Sequence, residues 1–172
     1  PGGSQRWKTK RWDLDRWAKL CDVLAERGFQ VVVTGGPEER SIGAALTTQM
    51  HSKPLVLIGK TTLSELACLI KRCAVFIAHD SSTLHVATAV GTPTVALFGP
   101  TNPKRHLAST FRGRIITKPV FCSPCYSTSC RTITHACMTR ISVEEVLTAV
   151  LATVPATPRS EHLSPPATVP TA

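Results

Sequence analysis

At 172 residues the chain is long enough to bury a real core. With 42% apolar and 18% charged residues it groups with globular rather than disordered chains, and no apolar run approaches the ~18 residues of a membrane span. The net charge of +9 suits a basic surface or an anionic partner, but 5% aromatics and the lack of a zinc finger, RNP motif or dense basic helix argue against nucleic acid.

Residues 1–11 read as a basic, Gly-containing loop with Arg6, Lys8, Lys10 and Arg11, and without the apolar stretch of a signal peptide. The chain opens without Met just ahead of a helix, so a piece cut at a domain boundary is expected. Asp13 is placed to cap a helix over residues 14–27, with Trp17, Leu20, Cys21 and Leu24 at helical spacing and Gly28 as its stop. Residues 30–33 form a buried strand ending in Thr34-Gly35-Gly36-Pro37, and Glu38 or Glu39 opens a helix to about Met50. A strand over 55–58 leads into Gly59-Lys60-Thr61-Thr62. Thr62-Leu63-Ser64-Glu65 has the pattern of a capping box for a helix ending at Arg72.

Residues 74–78 are almost wholly apolar, the pattern of a strand buried on both faces of a parallel sheet. His79-Asp80-Ser81-Ser82 follows at its carboxyl end. Ser81, Ser82 or Thr83 caps a helix carrying Leu84, His85, Ala87 and Ala89, which Gly91-Thr92-Pro93 terminates. A second buried strand, 94–98, runs into Gly99-Pro100-Thr101-Asn102. A short strand over 114–117, a Cys-rich loop over 121–140 and a helix over 143–154 capped by Ser142 complete the pattern. Residues 155–172 are mostly Pro, Ser, Thr and Ala and are expected to be a disordered tail.

This alternation predicts an α/β fold over residues 1–154, a Rossmann-like parallel sheet with helices on both faces. Gly35, Gly36, Lys60, Asp80, Ser81 and Gly99 then gather along one sheet edge, where ligands bind in open α/β sheets. A helix N-terminus there suits a phosphate. Neither GxGxxG nor GxxxxGK[ST] occurs, so neither a dinucleotide fold nor a P-loop is supported.

Several motifs, in order, resemble glycosyltransferase family 9, the ADP-heptose:lipopolysaccharide heptosyltransferases. They are Lys8-Thr9-Lys10-Arg11-Trp12, then Gly35-Gly36-Pro37-Glu38-Glu39, then Asp80-Ser81 with His85, Ala89, Gly91 and Pro93, and then residues 97–103. Cys122-Ser123-Pro124-Cys125, Cys130 and Cys137-Met138 resemble the Cys pattern of the heptosyltransferase II branch. The resemblance covers residue 1 to about 150. It implies the C-terminal, donor-binding domain of a two-domain GT-B enzyme, with the acceptor domain outside this chain. The implied reaction is inverting, metal-independent transfer of heptose from ADP-heptose to the lipopolysaccharide inner core, with no cofactor. The implied setting is the cytoplasm, where a +9 chain also suits peripheral contact with an anionic membrane face. The family's catalytic base lies in the other half, so no residue here is assigned to it. The other readings are a non-catalytic nucleotide-sugar-binding module, or a GT-B transferase using another sugar nucleotide.

The same resemblance supplies site residues. Lys10, with Lys8 as competitor, matches the diphosphate-binding Lys, which would stabilise departing ADP as a metal does elsewhere. Glu39, with Glu38 as competitor, matches the acid on the nucleotide ribose. Lys60 and Thr61 lie in the loop whose backbone reads adenine. Asp80 contacts the donor sugar or positions its diphosphate, or is simply a helix cap at a strand end. Ser81 and Ser82 offer hydroxyls and N–H groups to phosphate, although the family usually has Gly where Ser82 stands. His85 contacts phosphate or sugar, holds Asp80, or is a core histidine. Gly99 and Thr101 line the phosphate site or form a turn. Of seven cysteines, Cys21, Cys68 and Cys73 read as small hydrophobes. Cys122, Cys125, Cys130 and Cys137 have the spacing C-x2-C-x4-C-x6-C. Free thiols in a reducing compartment are the expectation, with a zinc or iron–sulfur cluster as the alternative.

Overall fold

The computed structural model describes residues 1–3 and 6–154; the proposed tail lies outside the described residues. The first described regular element is a 3-10 turn over Lys8–Lys10. It leads into α1 (Leu14–Glu26), β1 (Val32–Val33), α2 (Arg40–Gln49) and β2 (Leu55–Val56). Then come α3 (Leu63–Arg72), β3 (Phe76–His79), α4 (Ser82–Ala89) and β4 (Thr94–Leu97). The last elements are α5 (Pro103–His106), β5 (Gly113–Ile116), α6 (Ala136–Thr139) and α7 (Val143–Leu151).

Local chemistry explains most of the boundaries. Thr62 and Glu65 cap α3 reciprocally: Glu65 accepts from the Thr62 amide at 2.7 Å, and the Thr62 hydroxyl accepts from the Glu65 amide at 3.3 Å. Ser142 starts α7 by accepting from the Glu145 amide at 3.2 Å. Gly28 ends α1 in the left-handed region, φ +84°. Asp13 holds the N-cap position of α1 without a side-chain cap bond; its carboxylate pairs with Arg16 at 3.5 Å instead.

Among the described residues all strand pairs are parallel, as expected, but the strands form two ladders rather than one sheet: β1–β2, and β3–β4–β5. The first two strands pair over two residues each, where the sequence pattern spans four. Backbone bonds such as Leu57 N to Val33 O at 2.9 Å prolong their contact. Between β1 and β3 lies a cavity of about 1110 Å³, lined on its flanks by Val31, Val33, Phe76 and Ile77.

The central strand β4 shows why both sheet faces need helices. Val95 and Leu97 join the main core with Leu20, Met138, Val146 and Val150, whereas Ala96 and Phe98 pack with Ala78 and Leu84 on the other side. Thus α7 covers one face of β4 and α4 the other, while α1 packs against both α2 and α7. This double cover makes the strand read as a continuous apolar run. Among the described residues no helix is long and apolar enough to cross a membrane.

Candidate functional site

Asp80 stands at the carboxyl end of β3 and is 3% exposed. A carboxylate buried so deeply needs partners. Lys10 Nζ lies 2.7 Å from Oδ2, and the Thr101 hydroxyl donates to the same oxygen at 2.8 Å. His106 Nδ1 lies 3.5 Å from Oδ1. One acid therefore draws together the 3-10 turn, the loop after β3, the loop after β4 and α5. Lys10 is 13% exposed and also sits 4.7 Å over the ring of Trp7. Its competitor Lys8 is exposed and does not line the cavity.

The turn bearing Lys10 is fastened from below. The Thr9 hydroxyl donates to Ser127 O at 2.7 Å, and the His135 ring nitrogen meets Thr9 O at 2.6 Å. Trp12 donates its backbone amide to His79 Nε2 at 3.0 Å and its indole N–H to Ile141 O at 3.0 Å. The acceptor role leaves His79 neutral. Burial, helped by the positive charge of Arg11, pushes its pKa down to about 3. His79 also packs edge-on against Trp17, 5.4 Å between ring centres.

The cavity brings most of the expected residues together. Lys10, Glu39, Thr61, Asp80, Ser81, Ser82 and His85 all line it. Ser81 is the N-cap of α4, but its hydroxyl meets Thr83 Oγ1 at 3.0 Å rather than capping. Ser82 and His85 are exposed on α4. The imidazole on Asp80 is that of His106, not His85. Glu39 is 7% exposed, and its Oε2 accepts from the Gly36 amide at 2.8 Å, while Glu38 is exposed. A side-chain carbon on Gly35 would stand 2.6 Å from Glu39 Oε2, so glycine there makes room for the carboxylate.

Three expected residues lie away from the cavity wall. Lys60 is exposed and outside it. Thr101 is buried behind Asp80 and reaches the site through that carboxylate. Gly99 faces Met138: an added carbon would stand 2.5 Å from the Met138 sulfur. Strand alternation is the reason, since Gly99 continues the Val95–Leu97 face of β4, which packs on Met138. The sequence reading missed His106, Trp7 and Tyr126. His106 stacks on Tyr126 with ring centres 6.0 Å apart, and the Tyr126 hydroxyl accepts from the Asn102 amide at 3.3 Å.

The Cys-rich loop forms the floor of this arrangement. Cys122, Cys125, Cys130 and Cys137 line a second cavity of about 20 Å³ together with His135. The Ser123 hydroxyl ties the loop to Gly99 O at 2.6 Å, and the Tyr126 amide ties it to Pro100 O at 2.9 Å. Burial and then the three neighbouring thiols push Cys137 up to about 11, which keeps it a thiol. A hydrogen bond from Thr132 lowers exposed Cys130. Among the described residues no three His, Cys, Asp or Glu side chains stand as a metal-ligand set.

The geometry is that of a large cavity at the carboxyl edge of the strands of a Rossmann-like scaffold, and comparison with known proteins supplies the family. The model of glycosyltransferase family 9 (heptosyltransferase) matches residues 1–135. The chain belongs to glycosyltransferase family 9. Among its curated relatives, lipopolysaccharide heptosyltransferase 3 of Escherichia coli is 41% identical over 96 residues, 54% of this chain and 28% of the relative. Lipopolysaccharide heptosyltransferase 2 of Escherichia coli is 33% identical over 118 residues, 66% of this chain and 34% of the relative. Two solved structures each cover 88% of this chain with 44% of their own. They are a family 9 glycosyltransferase from Veillonella parvula (TM-score 0.73, 30% identity) and E. coli ADP-heptose lps heptosyltransferase II (TM-score 0.74, 26% identity). This family 9 chain thus spans less than half the length of these relatives.

Proposed function

We propose that this chain is the donor-binding half of an inverting glycosyltransferase that moves heptose from ADP-heptose to the lipopolysaccharide inner core. The observation that carries the reading is the Lys10–Asp80 pair on the wall of the large cavity, backed by Thr101 and beside the N-terminus of α4. The relatives' names, heptosyltransferases of lipopolysaccharide, support the sugar and the acceptor.

The leaving group of such a transfer is a nucleoside diphosphate, whose negative charge grows as the glycosidic bond breaks. Lys10 meets that charge with an ammonium already held in place by Asp80, so little reorganisation is needed during the reaction. In this reading no metal or cofactor takes part. The N–H groups of the first turn of α4 supply further donors. Glu39 accepts from a ribose hydroxyl, and the backbone near Thr61 reads the base. The catalytic base and the acceptor site belong to a second domain, and the basic chain works at the anionic inner face of a membrane.

Calorimetric titration with ADP, GDP and UDP tests this. Preferential binding of ADP, weakened about tenfold or more in Lys10→Ala, is the expected result. Equal affinity for the three nucleotides, or an unchanged affinity in the variant, overturns it.

A further inference from the structure

Resting on the donor-site reading above, the geometry points to His106 as a second side-chain ligand of the donor's diphosphate, working beside Lys10 across the shared carboxylate of Asp80. None of the motifs that mark the family in this sequence includes it.

Three observations carry the inference. First, His106 lines the same cavity as Lys10, Ser81, Ser82 and His85 and is 32% exposed, so it is open to a ligand where Asp80 is not. Second, it is held from two sides: Nδ1 faces Asp80 Oδ1 at 3.5 Å, and its ring stacks on Tyr126 at an interplanar angle of 29°. The Tyr126 amide and hydroxyl are both tied to the loop after β4, so the stacking partner is itself fixed. Third, with a diphosphate on the far side of the ring, it and Asp80 would both favour the protonated imidazole, and the charges then do not cancel. With His106 as imidazolium, the group Lys10, Asp80 and His106 carries one net positive charge, next to a helix N-terminus of the same sign. An imidazolium donates through both ring nitrogens. With Nδ1 turned to Asp80, Nε2–H remains for a phosphate oxygen.

Asp80 then has a definite task. Alone, a buried carboxylate beside a diphosphate would repel it. Between two cations it places each of them 2.7–3.5 Å from its own oxygens, and so on either side of one anion. Lys104 and Arg105, exposed on the same short helix as His106, add to the local positive field.

The test is titration of the full chain with ADP at several salt concentrations, comparing wild type, His106→Gln and His106→Arg. His106→Gln is expected to bind ADP about tenfold more weakly. It should also show a shallower dependence on salt, because one charged contact is gone. His106→Arg should restore the salt dependence and recover affinity to within about threefold. If wild type binds ADP and His106→Gln binds it equally, or with the same salt dependence, this inference falls while the donor reading stands. If His106→Arg binds as poorly as the Gln variant, the role is packing against Tyr126 and the inference falls. If wild type binds no ADP, the donor reading falls and takes this inference with it.

Discussion

Two carboxylates, Asp80 and Glu39, line the same cavity and are almost equally buried, yet they are held in opposite ways. Asp80 is surrounded by side chains: an ammonium and a hydroxyl on one oxygen, an imidazole facing the other. Glu39 is held by backbone, through the Gly36 amide, and glycines at 2 and 35 leave room for its carboxylate. A carboxylate has about four acceptor sites. Asp80 spends its sites on neighbouring side chains, the arrangement that the proposed donor site calls for. Glu39 keeps acceptor capacity on a fixed frame, the condition for reading a hydroxyl directly. The same functional group, a carboxylate, is thus framed by side chains at one place in the cavity and by backbone at another.

The contrast can be broken most sharply at Asp80. Asp80→Ala strands Lys10 in a site that is 13% exposed, and a loss of about 3 kcal/mol in chemical denaturation is expected, together with weakened ADP binding. A variant as stable as wild type would show that the cluster is not the organising element. Next comes acid. His79, directly before Asp80, is neutral in the folded chain with its pKa pushed down to about 3, whereas an unfolded histidine titrates near 6.5. The unfolded state therefore gains a proton that the folded state refuses. The stability due to neutral His79 is complete above pH 6.5 and is lost progressively as pH falls towards 3. Denaturation midpoints measured across this range should fall more steeply for wild type than for His79→Gln.

A smaller effect sharpens the Asp80 side. Thr101→Val removes one of the donors on Oδ2 while keeping the shape, and a cost of about 1 kcal/mol is expected, with ADP affinity reduced less than in Lys10→Ala. The smallest effect on stability belongs to Glu39→Gln, within about 1 kcal/mol, since the amide oxygen still accepts from Gly36. Its signature is in recognition instead. Wild type should prefer ADP to 2′-deoxy-ADP, and the variant should lose part of that preference in competition titrations.

Which parts of this were legible in the sequence follows from the range of the forces involved. The cap of α3 was readable because Thr62 and Glu65 are three residues apart and satisfy each other locally. The strands at residues 76–79 and 94–97 were readable because both faces are covered and their apolar runs are continuous. Asp80, Lys10 and Glu39 came from motif order, not from local pattern. The lengths of β1 and β2 were not readable, because apolar character does not reveal which residues find a partner across a ladder. Gly99 was misplaced by attention to its loop rather than to the face it inherits from β4. His106 was missed because its relation to Asp80 crosses 26 positions of sequence and exists only once α5 has folded back over the β3 edge. One signal was available: it follows the loop at the carboxyl end of β4, the same edge that presents Asp80.

The placement of the three tryptophans gives the site its own optical readout. Trp12 and Trp17 are buried against each other and His79, at 2% and 7% exposure, and of the two Trp17 also borders the cavity. Trp7 lines the cavity under the Lys10 ammonium. An anion that draws Lys10 away from Trp7 changes the field over that indole most directly, since it alone of the three lies under the ammonium among the described contacts. Intrinsic fluorescence, with Trp7→Phe as the variant that isolates its share from that of Trp17, then follows occupancy of the site without a label.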